Sequence, residues 1–373
     1  MNTAVLKTNL KEGINIISGA HKETSHLPVL KNFLISTINN SLKITSTDLE
    51  IVEEYIFSAK IISEGTLVVP FSVFSNIISN LSLERVNLEQ KGSSLLISSE
   101  NYNAKITTIN KDEYPIIPVV NYKPEKSFIF DTEYFIDALA TVSSACQPSD
   151  IRPELNGICF IFNGGELKMV ATDSFRLAEK TIPNKKYETQ NTDDISRIIP
   201  LKTIQEAIRI FGYKKDGKIT VFFDQHQVLF KTEHITLTSR LIQGKFPDYQ
   251  SIIPLLYATE VVVKTSDVVS AIKLASTLSN RLREVSFVVS DTMKHITISS
   301  ASQEFGESEC VIPTKTKGEK GRVTFNWRFL LDGVKNIKTE NIFFGFNGED
   351  KPSVVKTTDD PSFVYVIMPI KSA

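Results

Sequence analysis

The amino-acid sequence predicts an α+β chain of three repeated domains, each with two helices on antiparallel sheets. Three observations predict it. Alternating apolar and polar runs ending in small polar residues recur as "LKITSTDLE" (42–50), "LKMVATDSF" (167–175) and "KHITISSASQEF" (294–305). Asp48 and Asp173 are 125 positions apart, and Asp173 and Ser302 are 129 apart. A second landmark keeps nearly the same period: "LVVPFSVFSNIISNL" (67–81), "RIIPLKTIQEAIRIF" (197–211) and "RVTFNWRFLLDGVKNI" (322–337) each run from a short strand into an amphipathic helix. The third opens each unit: "TNLKEGINIISGAH" (8–21), "DTEYFIDALATVSSAC" (131–146) and "KTSDVVSAIKLASTLS" (264–279) place apolar residues at helical spacing behind a Thr, Asp or Ser able to cap the start. Three landmarks at one period identify internal repeats.

Each repeat therefore reads strand, helix, several strands, helix, several strands. Turn chemistry separates the strands: "NN" (39–40), "NGG" (163–165), "KKDGK" (214–218) and "FNGEDK" (346–351) sit between alternating runs. Runs such as "KITVFFD" (218–224) and "EHITLTSRL" (233–241) are rich in Val, Ile, Thr and Phe, which suit a pleated, half-buried surface.

Composition excludes several classes. A chain of 373 residues exceeds one ordinary core, and 41% hydrophobic with 23% charged residues is a globular balance. A formal net charge of −1 means that any nucleic-acid contact rests on local charge. The N-terminus "MNTAVLKTNLKEGINII" has no apolar run of the signal-peptide kind, and no stretch approaches about 18 consecutive apolar residues, so a cytosolic protein without a membrane segment is expected. Cys146, Cys159 and Cys310 are odd in number and widely spaced, which argues against a disulfide framework and a cysteine zinc site. No metal and no cofactor is expected.

Asp173, Ser174 and Arg176 invite a catalytic reading, but a serine nucleophile needs a positioned base. The five histidines, His21, His26, His226, His234 and His295, are scattered, and no nucleophile elbow, zinc helix or phosphate-loop motif occurs. Adjacent acids such as Glu53-Glu54 and Asp359-Asp360 read as solvated faces or loops. Because "TDLE" stands one repeat earlier, Asp173 reads as a turn residue accepting backbone N–H groups. A non-enzyme is expected.

The stretches "VATDSFRLA" (170–178), "GKFPDYQSIIP" (244–254), "FNWRFLLDGV" (325–334) and "YVIMPIKSA" (365–373), in this order within a triplicated chain, resemble the bacterial DNA polymerase III β subunit family over the whole length. The resemblance implies the DNA-clamp fold, with domains 1–121, 127–254 and 258–373, closing into a ring as a head-to-tail homodimer around double-stranded DNA. It also implies a hydrophobic cleft for short peptide motifs of the polymerase α subunit, the clamp loader, and other polymerases and repair proteins. Carried onto matching positions, the cleft comprises Leu155, Thr172, Ser174, Phe175, Arg176, Leu177, Pro247, Ser251, Ile252, Ser353, Val366, Ile367, Met368, Pro369, Ile370 and Lys371. Leu177, Ile252, Val366 and Met368 would form an apolar well, with Arg176 bonding peptide carbonyls at the rim.

For DNA the repeat helices offer Lys11, Lys202, Arg209, Lys273, Arg328 and Lys335, with Lys22, Arg152 and Arg283 nearby. At the dimer contact, "NYNAKITTI" (101–109) with Ile106 is expected to face Lys273, Thr277 and Leu278. The chain departs from the family pattern at Ser174-Phe175, where Gly and often His stand, at Gln250-Ser251, where basic residues are common, and at Thr24-Ser25-His26, where an Arg is common. The alternatives are a non-encircling β-rich interaction scaffold, or a hydrolase with a cryptic site at Asp173 to Arg176.

Overall fold

A computed structural model describes residues 1–21, 27–117, 120–149, 151–213 and 217–371. The chain divides into two compact units. One contains Met1–Thr132, Glu188–Asn191 and Gln205–Leu241; the other contains Glu133–Tyr187, Thr192–Ile204 and Ile242–Ala373. The described residues hold six α-helices: α1 (Lys7–Ile16), α2 (Phe71–Asn80), α3 (Thr132–Ser143), α4 (Leu201–Tyr213), α5 (Thr265–Thr277) and α6 (Trp327–Val334).

The first unit has two antiparallel sheets. The smaller runs Lys60–Ser63, Asn2–Leu6, Arg85–Lys91, Ser94–Ser99 and Tyr102–Thr107, so the last of these is an edge. The larger has nine strands, and its seam lies where Ile51–Ser58 of the first repeat pairs with Ile235–Arg240 of the second. Helix α1 packs on Ile51–Ser58 and on α2; Leu10, Ile14, Phe74 and Ile78 are buried, and Gly13 of α1 faces the Ile44 and Tyr55 side chains.

The second unit repeats this plan. Its nine-stranded sheet joins Arg176–Ile182 of the second repeat to Phe363–Ile367 of the third, and its four-stranded sheet ends on the edge strand Gly306–Pro313. Helices α5 and α6 pack together, and α6 lies on the sheet at Gly333, where an added Cβ would stand 2.4 Å from the Tyr365 ring. Only glycine permits that approach.

The hairpins follow the turn chemistry. Asn39 and Asn40 have φ of 44° and 59°, and Gly164 and Gly165 have 58° and 82°, as two-residue turns require. Of "KKDGK", residues 214–216 lie outside the described residues. The expected helix caps differ. Helices α1 and α5 begin after Leu6 and Lys264 with no side-chain cap, because Thr8 bonds Glu84 and Thr265 donates its hydroxyl to Thr339 O at 2.7 Å. Asn326 does cap α6, accepting the Arg328 N–H at 3.0 Å.

Candidate functional site

The turn at Asp173 is built by its own side chains. Asp173 Oδ1 accepts the N–H groups of Phe175 and Arg176, both at 3.0 Å. Thr172 Oγ1 accepts the Ser174 N–H at 3.2 Å and donates to Arg176 O at 2.7 Å. The first repeat copies every bond: Asp48 Oδ1 accepts Glu50 and Ile51, and Thr47 Oγ1 accepts Leu49 and donates to Ile51 O. This is the Asx geometry expected from the sequence.

Beyond the turn the ladder sorts side chains onto two faces, since successive residues of a strand alternate. Arg176 lies opposite Ile367, which lies opposite Ser353; Ala178, Tyr365 and Val355 form the next row on that face. Tyr365 donates to Phe329 O of α6 at 2.7 Å, so this face is turned to the helix. Arg176 differs accordingly from the expected rim donor. It is 7% exposed; its Nε donates to Asp173 at 2.9 Å, its Nη1 to Asp332 of α6 at 2.7 Å, and its guanidinium lies 4.4 Å from the Phe329 ring centre. Two carboxylates and an aromatic face satisfy this buried charge from within the fold. Ile367 and Ser353 share its face and are buried there.

Leu177, Val366 and Val354 occupy the opposite, outer face. They pack with Leu155, Cys159, Val170, Ile198, Phe246 and Tyr249 into one apolar cluster. Leu177 and Val366 are 3% and 2% exposed and form the floor of this face. Tyr249 is fixed over it by a 2.5 Å bond to Glu179, and burial together with that carboxylate pushes its phenol above the ordinary range. The accessible surface is the lip: Ser174, Phe175, Ser251 and Ile252 are exposed, with Pro247, Met368, Pro369 and Ile370 half-buried and Lys371 exposed beyond them. Main-chain bonds hold the tail, from Met368 N to Phe175 O at 2.8 Å and from Ile370 N to Thr324 O at 2.7 Å. Phe175 stacks on Phe329 with centres 6.4 Å apart, and Arg152 donates to Ser174 Oγ at 3.2 Å.

Sequence reasoning missed the roles of Phe246, Tyr249, Phe329 and Asp332. The "FPDY" motif carries the first pair, and the three-residue spacing of Phe329 and Asp332 on an amphipathic helix could have located the second.

The expected basic residues divide. Lys11, Lys273, Arg328 and Lys335 are exposed on their helices or just beyond, and Lys202 is half-buried. Lys335 pairs with Asp332 at 2.5 Å, Arg328 lies over Trp327, and Arg152 also bonds Glu154. Lys22 lies outside the described residues. Arg209 is committed inside the first unit: it donates to Asn15 O at 2.6 Å and Ile16 O at 2.8 Å, closing the C-terminus of α1, and pairs with Glu53 and Glu206. Its guanidinium answers Glu53, which is 0% exposed and whose carboxyl burial pushes up to about 8. The Arg209 side chain is nonetheless 37% exposed.

At the expected dimer contact, Ile106 is 7% exposed and turned inward, opposite Leu95. The solvent side of its strand carries Asn103 and Lys105 instead. Lys273 and Thr277 are exposed on α5 and Leu278 is half-buried after it; α5 backs the edge strand Gly306–Pro313. Among the described residues no cluster of His, Cys, Asp and Glu could hold a metal ion, and no helix is long and apolar enough to cross a membrane.

Comparison with known proteins covers nearly the whole chain. The family models for the DNA polymerase III beta subunit match in three parts: the N-terminal domain at residues 1–118, the central domain at 130–248 and the C-terminal domain at 250–371. The beta sliding clamp of Bacillus subtilis is 26% identical over 383 residues, covering 100% of both chains. Its relatives among solved structures include a DNA polymerase sliding clamp from Bacillus subtilis, with a TM-score of 0.94 at 25% identity, and a sliding clamp from Pseudomonas aeruginosa bound to griselimycin, with 0.92 at 26%; both cover 100% of each chain.

Proposed function

Because this chain belongs to the DNA polymerase III β subunit family, we propose that it is a processivity clamp: a non-catalytic ring of two chains that encircles duplex DNA and tethers the replicative polymerase. The observation that carries this reading is the repeated seam. In each unit the strand after the Thr-Asp turn pairs with the last strand of the next repeat, so that Val52 opposes Thr238 and Leu177 opposes Val366. The third copies of these two strands, Gly306–Pro313 and Tyr102–Thr107, both lie at sheet edges. Free edges invite pairing, and a head-to-tail contact between two chains satisfies both ends.

The two seams also supply a register. Hairpin alignment puts Glu307 in the place of Val52 and Leu177, and Lys105 in the place of Thr238 and Val366. Glu307 of one chain would oppose Lys105 of the other, a charge match of the kind that stabilises cross-strand pairs. Ile106 would then sit beside α5 of the partner, near Thr277 and Leu278.

A closed ring retains DNA by topology, so its contacts can be weak. Lys11, Lys202, Lys273, Arg328 and Lys335 are the proposed phosphate contacts, sequence-independent and salt-sensitive. The outer face at the second seam is the proposed cleft, with Phe175, Ile252 and Met368 at its mouth receiving Leu and Phe side chains of the polymerase α subunit, the clamp loader and repair proteins. The proposed compartment is the cytoplasm.

The test is retention on nicked circular DNA, followed by linearisation. A ring slides off the linear form; a site-bound protein that stays on would contradict the proposal.

A further inference from the structure

In the first unit an open groove of about 820 Å3 lies over the strands Ser41–Thr47, Ile51–Ser58 and Ile235–Arg240. Its floor copies, one repeat earlier, the floor beneath the candidate cleft. Thr45 and Val52 stand 125 positions before Val170 and Leu177. Across the seam, Thr238 and Leu229 hold the ladder places of Val366 and Val354.

The polar fittings are copied too. Lys43 pairs with Glu54 at 2.8 Å, as Lys168 reaches Glu179 at 3.9 Å. The Lys231 ammonium lies 5.5 Å from the Tyr122 ring centre, as that of Lys356 lies 5.4 Å from Tyr257. The chain leaving the domain is tied down in both places by one bridge, Val68 to Ile109 and Ile198 to Ile242. The two floors differ in filling. At the second seam Phe246 and Tyr249 pack into the apolar cluster; at the first, Tyr114 is buried in the groove wall and donates its hydroxyl to Thr45 O at 3.3 Å, and the groove beside it stays open over threonine at two valine positions.

Charge selects the occupant. Among the described lining residues the acids are Glu54, already answered by Lys43, and Asp112; Lys111 and Lys231 are further cations, both exposed. Leu34, Val52 and Leu229 supply apolar surface between them. We infer that this groove is a second peptide-docking site, suited to an extended acidic segment of a partner protein that carries aliphatic side chains. The inference rests on reading the second seam as a peptide cleft, but its chemistry is its own: carboxylates meet Lys111 and Lys231, and aliphatic groups meet the floor.

The probe is a fluorescein-labelled heptapeptide of alternating glutamate and leucine, read by anisotropy. The intact protein should bind it, and Lys231→Glu or Lys111→Glu should each weaken binding by about tenfold, as charge reversal at a contact does. Both side chains are exposed, so the variants should fold. The same peptide with alanine for leucine should bind more weakly, because the floor loses its partner. Protein lacking Met368 onward should bind the probe as the intact protein does, which separates this groove from the cleft. No binding by the intact protein, indifference to both lysine reversals, equal affinity of the alanine peptide, or loss confined to the truncated protein would each overturn the inference.

Discussion

Ser174 and Leu49 adopt one backbone conformation, with φ of 77° and 78°, although they stand 125 positions apart in unlike sequences. The left-handed region costs an L-residue about 1–2 kcal/mol, and each turn offsets this with side-chain bonds from the Thr and Asp that precede it. A cluster that suggests chemistry in one repeat is thereby a structural turn in two.

Leu49→Gly should therefore stabilise the protein, by about 0.5–1 kcal/mol, since glycine adopts this φ freely. Ser174→Gly should gain less, because it also loses the Arg152 bond to Ser174 Oγ. Thermal melts of the two variants check the order; a destabilised Leu49→Gly would contradict it.

Asp173→Ala should destabilise by about 3–5 kcal/mol, because it removes the side-chain acceptor of two main-chain N–H groups and one of two carboxylates on a buried guanidinium. Asp173→Asn keeps an oxygen for the N–H groups and should lose clearly less. Denaturant titration of both variants distinguishes a turn and ion-pair role from a catalytic one.

The repeats, the turns and Asp173 were legible because they depend on local chemistry at fixed spacing. The two faces of the strands at the second seam were not. Which side of Arg176 faces α6 depends on the pairing of Arg176 with Ile367, residues 191 positions apart, and on Asp332 from a third segment. Arg209 carries bonds that its own helix could not reveal: its partners Asn15, Ile16 and Glu53 belong to the preceding repeat. A basic residue on a helix can be exposed and still bond the element beside it, and that neighbour is set by tertiary packing.

Glu53 gives the stability a pH dependence. Burial raises its carboxyl to about 8, opposed by the Ala20 N–H and Arg209 and reinforced by Glu206. A folded-state value above the unfolded 4.5 means that the folded chain holds the proton more tightly. The contribution is fully present below about 4.5 and is lost as pH rises through about 8. The melting temperature should fall across that window more steeply in the wild type than in Glu53→Gln, and parallel curves would exclude the linkage.

Phe175 is 61% exposed at the mouth of the proposed cleft and rests on Phe329. Phe175→Ala should weaken a polymerase-derived Leu/Phe peptide by about tenfold while leaving the melting temperature nearly unchanged, as for an aromatic anchor at an interface. Removing Met368 onward should abolish that binding and leave the dimer assembled. Normal peptide binding by the truncated protein would show that the cleft lies elsewhere.

In the proposed ring the seam formed twice within each chain forms a third time between chains, with Glu307 opposite Lys105. Sedimentation of charge-reversed proteins tests it most directly. Lys105→Glu and Glu307→Lys, each alone, should weaken the dimer by about tenfold, and the double variant should restore it by re-pairing the charges. A dimer indifferent to both single changes, or a double variant no tighter than either, would contradict the account.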